Sequence, residues 1–265
     1  MYETLTVTPG PITTVTLREP TMRPRLFHEV GAAFTAIADD PAVRAVIVDS
    51  AAKHFSYGLD LPAAAAELGE GLQGGGAATR MALWRAIRAL QRGFSAVAAC
   101  PVPVIAAVHG WCIGGGVDLI TACDLRLCAA DARFSVRETK IAIVADLGTL
   151  QRLPRIVGPG RARELAFTGK DIDAARAEAI GLVNEVAPDR AALAAAARAL
   201  AEAIAENPPL PVRGVKEVRD RGADGSVDDG LAYVAAWNAA FLASEDLGEA
   251  MAAFVGRRPP MYKGR

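Results

Sequence analysis

The sequence carries no surplus charge of either sign. Its 265 residues hold 29 Lys and Arg against 30 Asp and Glu, a formal net charge of −1. No electropositive field is available to gather phosphates, which argues against a nucleic-acid partner. Aromatic residues are scarce at 6%, so a base-stacking surface is disfavoured as well. The four cysteines, Cys100, Cys112, Cys123 and Cys128, form no C-x-x-C pair and have no histidine at ligand spacing, which speaks against a zinc site. Long uninterrupted apolar runs are missing too. The most apolar stretch, residues 102–120, contains His109, Asp118 and four glycines, and so reads as strand, turn and helix rather than as a membrane span. Residues 1–10 lack a basic region followed by an apolar one. The expectation is a cytoplasmic protein with buried, reduced thiols.

What remains is an ordinary globular composition, 52% hydrophobic, long enough for a sizeable core. Short β-branched or apolar runs at 5–8, 13–17, 45–48, 102–108 and 125–128 read as strands. Helical patterns fall at 24–38, 61–72, 79–99 and 115–122. After about residue 147 helices dominate, at 149–157, 161–167, 173–180 and 191–205, with one short strand at 183–186 and a helical tail over 211–255. The fold class is α/β: a core of repeated β–β–α units over residues 1–200, then a helical part over 201–265.

Several motifs invite a bland reading. Gly69 to Gly74 matches G-x-G-x-x-G, but a helical stretch precedes it where a dinucleotide site needs a strand, so a flexible loop spanning 71–76 is preferred. His28, His54 and His109 pair with no Ser or Cys at a recognisable spacing and read as structural. Two turns are more informative. Phe55-Ser56-Tyr57-Gly58-Leu59-Asp60 follows one buried strand. His109-Gly110-Trp111-Cys112-Ile113-Gly114-Gly115-Gly116 follows another and opens a helix. Glycines at such turns leave backbone N–H groups free, and two turns together could supply two donors to one oxygen. Tight packing is the alternative for each turn alone. Near them stand three acids. Asp118 lies in the first helical turn after the glycines, where the helix dipole alone would favour it. Glu138 and Asp146 follow, and Asp146 reads either as a helix N-cap or as an acid whose apolar setting raises its pKa.

Taken together, these residues resemble the crotonase (enoyl-CoA hydratase/isomerase) family. The resemblance is carried by Ala106-Ala107-Val108-His109-Gly110, by Gly114-Gly115-Gly116-Val117-Asp118-Leu119, by Ala122-Cys123-Asp124 and by Thr149-Leu150-Gln151-Arg152-Leu153-Pro154. Within the family the pattern is most similar to the Δ3,5-Δ2,4-dienoyl-CoA isomerases, whose three acids fall on Asp118, Glu138 and Asp146. Ordinary hydratases carry Gly at the position of Asp146. The resemblance implies a crotonase-like core with a helical C-terminal trimerisation part, a homotrimer or homohexamer, an acyl-CoA substrate of fatty-acid degradation, and no metal or separate cofactor. It places the oxyanion donors on the amides of Leu59 and Gly115, and substrate contacts on Tyr57, Gly58, Asp60 and Gly114. It assigns Asp146 to the C2 proton, Glu138 to C6 and Asp118 to tuning or orienting Glu138.

The sequence also departs from the family. The segment Arg18-Glu19-Pro20-Thr21-Met22-Arg23-Pro24 is short and lacks the usual Asn, leaving Arg23 or Arg25 as candidate phosphate contacts. Tyr57 replaces a small residue, and residues 63–76 are expected to line the acyl pocket. Two other readings remain open here: an enoyl-CoA hydratase using Asp118 and Glu138 on water, and a non-catalytic acyl-CoA-binding protein.

Overall fold

The structure is a computed structural model that describes residues 1–72 and 74–265. Strands β1 (Leu5–Thr8) and β2 (Ile12–Leu17) form an antiparallel hairpin across Pro9-Gly10-Pro11. A short strand β3 (Thr21–Met22) leads into helix α1 (Pro24–Asp39), which starts on a proline whose missing N–H costs nothing there. Next come β4 (Ala45–Ser50), β5 (Gly58–Leu59), α2 (Leu61–Leu72) and α3 (Ala77–Ala98). The third unit is β6 (Val104–Val108), β7 (Trp111–Ile113) and α4 (Gly115–Ala122). The fourth is β8 (Leu125–Ala129), β9 (Arg133–Ser135), a 3-10 turn at Glu138–Ile141, and α5 (Thr149–Val157). Then follow α6 (Pro159–Thr168), β10 (Ile172–Asp173), α7 (Ala174–Ala179), β11 (Glu185–Ala187) and α8 (Arg190–Ala205). The last helices are α9 (Pro209–Arg221), α10 (Val227–Phe241) and α11 (Glu245–Gly256).

Each of the first four units therefore runs long strand, short strand, helix, which is the expected repeated β–β–α core. The long strands make one sheet in the order β1-β2-β4-β6-β8-β11, parallel from β2 onward. Its central strands are continuous apolar runs because both faces are covered. Val46, Val48, Val104, Ala106 and Val108 point into the larger core, with α1 and α3. The residues between them, Ala45, Ile47, Ile105 and Ala107, pack on Leu193, Ala197 and Ala201 of α8. Helices α1 and α3 approach closely at Gly93, where a Cβ would lie 2.3 Å from the Phe27 carbonyl oxygen.

The short strands form two separate small sheets, β3 with β5 and β7-β9-β10, and an isolated bridge from Ser56 to Cys112 links the second and third units. The expected loop over 71–76 begins later than the sequence suggests, since α2 extends to Leu72. Gln73, inside the G-x-G-x-x-G motif, lies outside the described residues. Among the described residues no helix is long and apolar enough to cross a membrane.

Candidate active site

The two glycine turns meet. Gly58 and Gly114 both hold positive φ, 81° and 53°, a conformation that side chains strongly disfavour. Space forbids a side chain as well: a Cβ at Gly58 would lie 2.8 Å from the Ile113 carbonyl oxygen and 3.2 Å from Gly115 N. Along 57–60 most amides are spoken for. Tyr57 N donates to Pro20 O (2.6 Å), Gly58 N to Ser56 Oγ (2.9 Å) and Asp60 N to Met22 O (2.9 Å). The Leu59 nitrogen lies against the other glycine turn. A Cβ built at Gly115 would lie 3.7 Å from that nitrogen. Gly115 opens α4, so its own N–H is among those a helix leaves unpaired. The amides of Leu59 and Gly115 thus stand side by side, as a two-donor oxyanion site requires.

The three acids gather beside this turn. Asp118 is buried on α4, and its Oδ1 accepts a hydrogen bond from Thr149 N at 2.6 Å. Removal from water raises its pKa to about 6 against the opposing bonds from Thr149, and the charge of Asp146 adds to the rise. Glu138 begins the 3-10 turn, with Oε1 3.3 Å from where a Cβ of Gly114 would sit. Its Oε2 is buried without a partner, and backbone bonds from Glu138 and Arg137 only partly offset the cost of ionising it. Burial, and then the charges of Asp118 and Asp146, raise its pKa to about 7. Asp146 stands at the exposed rim, and partial desolvation still moves its carboxyl upward. It does not cap α5: the N-cap position is Gly148, with no side-chain bond. The cap reading is therefore corrected.

Other candidate residues divide. Tyr57 is exposed and stacks on His54, ring centroids 5.0 Å apart. The Asp60 carboxylate caps α2 by accepting from Ala63 N at 3.0 Å, and lies 4.0 Å from Arg23. Of the two candidate phosphate contacts, Arg25 is tied to Glu3 (2.8 Å) and Glu29 (3.0 Å), whereas Arg23 also faces Glu19 at 3.5 Å. His54 accepts from Trp111 N and His109 sits against Ala52 O, both structural contacts. All four cysteines are buried thiols; burial pushes Cys123 and Cys128 up to about 12.

Three neighbours escaped the sequence reading. Met22 is fully buried beneath Gly115, Thr149 holds Asp118, and Gln91 of α3 donates to the Asp146 carbonyl at 2.6 Å. Met22 and Thr149 lie in segments the sequence singled out, but no local motif gives any of the three its contact; these arise through pairings between distant segments.

Comparison with known proteins finds relatives over nearly the whole chain. The enoyl-CoA hydratase/isomerase family pattern matches residues 8–265. A mitochondrial Delta(3,5)-Delta(2,4)-dienoyl-CoA isomerase of Dictyostelium discoideum is 45% identical over 237 residues, covering 89% of this chain and 81% of that protein. A peroxisomal one from Arabidopsis thaliana is 44% identical, covering 89% and 85%. Among solved structures, an enoyl-CoA hydratase from Bacillus anthracis superposes with a TM-score of 0.89 at 32% identity, covering 99% of this chain and 100% of that one. The relatives' names contradict the cytoplasmic location expected from the sequence, since they are mitochondrial or peroxisomal. Composition and free thiols describe a folded chain, whereas cellular address is read by receptors from separate signals.

Proposed function

The chain belongs to the enoyl-CoA hydratase/isomerase family, and from that premise we propose that it is a dienoyl-CoA isomerase of fatty-acid degradation, converting a 3,5-dienoyl-CoA to the 2,4-dienoyl-CoA. The observation that carries this reading is the third acid: Asp146 shares one electrostatic neighbourhood with Asp118 and Glu138. Hydration of a 2-enoyl thioester needs two carboxylates and one water. Moving two double bonds needs proton traffic at both C2 and C6.

In this reading the thioester oxygen accepts from the amides of Leu59 and Gly115. Asp146, ionised, takes a proton from C2. The C–H electron pair first forms a C1=C2 enolate; as this collapses the pair becomes the C2=C3 bond, the C3=C4 pair moves to C4=C5, and the C5=C6 pair takes a proton at C6 from Glu138. Negative charge develops on the thioester oxygen, where the paired donors stabilise it. Glu138, at about 7, is the group best kept protonated near neutrality. Asp118, buried behind it, tunes its proton affinity. Both acids return to their starting states by proton exchange after each turnover. The chemistry is proton transfer throughout and calls for no metal or redox cofactor; coenzyme A enters as part of the substrate. Tyr57, Gly58, Asp60 and Gly114 border the path of the thioester.

We further propose assembly into a homotrimer or homohexamer through α9–α11. These helices and the turn between α10 and α11 bury few of their own residues and expose Leu231, Phe241, Leu242, Met251 and Phe254, apolar side chains of the kind that mark an interaction surface. Size-exclusion chromatography with light scattering tests this, and a stable monomer overturns it. The activity is tested by offering a 3,5-dienoyl-CoA and following the conjugated product in the ultraviolet, with a 2-enoyl-CoA hydration assay beside it. Asp146→Asn is expected to abolish isomerisation while CoA-ester binding persists. Hydration without isomerisation would replace this reading with a hydratase, and binding without either reaction would make the chain a non-catalytic acyl-CoA binder.

A further inference from the structure

Asp146 lies in an irregular segment, residues 143–148, between the 3-10 turn and α5. Backbone bonds hold its two ends. Ile143 N donates to Glu138 O (3.0 Å), and Gly148 O accepts from the amides of Gln151 (3.2 Å) and Arg152 (3.0 Å). Between those ends, two side chains grip consecutive carbonyls. Gln91 Nε2 donates to Asp146 O at 2.6 Å, and Arg152 Nη1 donates to Leu147 O at 3.3 Å.

The Gln91 contact has a fixed sense. A carbonyl only accepts, so the amide nitrogen must face Asp146. A guanidinium only donates, and Arg88 Nη1 lies 2.7 Å from Gln91 Oε1. Both ends of the amide are therefore committed, and a flipped amide would lose both bonds. The platform is rigid. Leu90, Phe94 and Val97 of α3 are buried, and the Phe94 ring packs 4.9 Å from that of Phe27 on α1. The main chain of the acid at the site's exposed rim, set between the buried Ala145 and Leu147, is thus tied to α3 by this amide.

We propose that Gln91 is a positioning residue for the isomerisation: it sets the main chain of Asp146 so that the carboxylate meets C2, without touching substrate itself. The inference rests on the reading of Asp146 given above. A misplacement of about 1 Å in such a constellation costs on the order of 10²-fold in rate.

The test compares wild-type protein with Gln91→Leu, Gln91→Glu and Asp146→Asn by kcat, KM and melting temperature on a 3,5-dienoyl-CoA. Gln91→Leu is expected to lower kcat by about 10- to 100-fold while KM stays within about threefold, the signature of lost transition-state alignment. Gln91→Glu keeps the shape but turns a carboxylate oxygen toward a carbonyl oxygen. Its kcat relative to wild type is expected to recover only as pH falls from about 7 to about 4, because Arg88 favours the carboxylate and protonation, which restores a donor, comes in the ordinary glutamate range or below it. A merely structural role would not produce that pH-dependent ratio. If Gln91→Leu turns over within about twofold of wild type, or if the Gln91→Glu ratio is flat across pH, while Asp146→Asn is inactive, this inference fails and the function stands. If Asp146→Asn remains active, the reading of Asp146 fails and the inference falls with it.

Discussion

Asp118→Asn is expected to make the protein more stable and less active, and the size of the first effect follows from the site. Asp118 is buried, and its pKa is raised from 3.8 to about 6. A carboxyl raised in this way favours the folded state while protonated. Its contribution is fully present below 3.8 and is lost as pH rises through about 6. At about 1.36 kcal/mol per pKa unit, the ionised carboxylate costs the fold up to about 3 kcal/mol above pH 6 and about 1 kcal/mol at pH 4.5. The asparagine removes that cost while its Oδ1 still accepts from Thr149 N, so that amide is not orphaned, although the new Nδ2–H2 donors offset part of the gain. For a chain of this length 1 kcal/mol moves Tm by about 2–4 °C. Thermal melts of both proteins, at matched concentration because assembly stabilises by mass action, would be run at about pH 7.5 and at about pH 4.5. The gain should be large at the higher pH and mostly gone at the lower. A variant destabilised at the higher pH, or a gain equal at both, refutes the claim that desolvation raises this acid.

Gly58→Ala would drive a Cβ to 2.8 Å from Ile113 O at a φ of 81°. It should cost about 10²-fold or more in kcat by spoiling the oxyanion turn, with KM and kcat measured on the same substrate. Glu29 offers the opposite electrostatic case from the active-site acids. Burial alone would raise it, but bonds from the amides of Glu3 and Thr4, the Thr4 hydroxyl and Arg25 hold it at about 2 against an ordinary value of 4.5. Its stabilisation is present above 4.5 and is lost as pH falls toward 2. Glu29→Gln should therefore destabilise by about 2 kcal/mol near neutrality and by little in strong acid, as read by denaturant melts at the two pH values.

Much of the scaffold was legible because it obeys local rules. Strands β4 and β6 read as continuous apolar runs since both faces of the sheet are covered. Helix α1 announced its start with Pro24, and α5 was bounded by glycines. The short strands β3, β5, β7, β9 and β10 were not legible. They are two or three residues long, and they exist only because their partners arrive from other units. The site was legible in the same uneven way. Gly114–Gly116 before a helix pointed to free amides, but nothing local placed Leu59 beside Gly115. The spacings between Asp118, Glu138 and Asp146 carry no helical or strand periodicity, so their convergence was available only through resemblance. Gln91 is separated from Asp146 by 55 positions, and a glutamine on an amphipathic helix looks like surface.

The gathering of the acids has a consequence that can be measured at Glu138. Its pKa is raised to about 7 by burial first, and then by Asp118 and Asp146. Asp118 itself ionises near 6, so its negative charge is already in place when Glu138 titrates. If Glu138 must be protonated to deliver the C6 proton, turnover should fall as pH rises through about 7. Replacing Asp118 by Asn removes one of the charges that holds the proton on Glu138, while burial of Glu138 is unchanged. The Glu138 pKa must then fall, and the alkaline limb of the residual turnover must move toward acid. Infrared titration of the Glu138 carboxyl in wild-type and Asp118→Asn protein would follow the same shift without depending on activity. An alkaline limb that stays in place while the carboxyl titration moves would remove Glu138 from the proton-delivering role. A titration that does not move would show that Asp118 is only a buried acid held by Thr149, and that Glu138 owes its proton to burial alone.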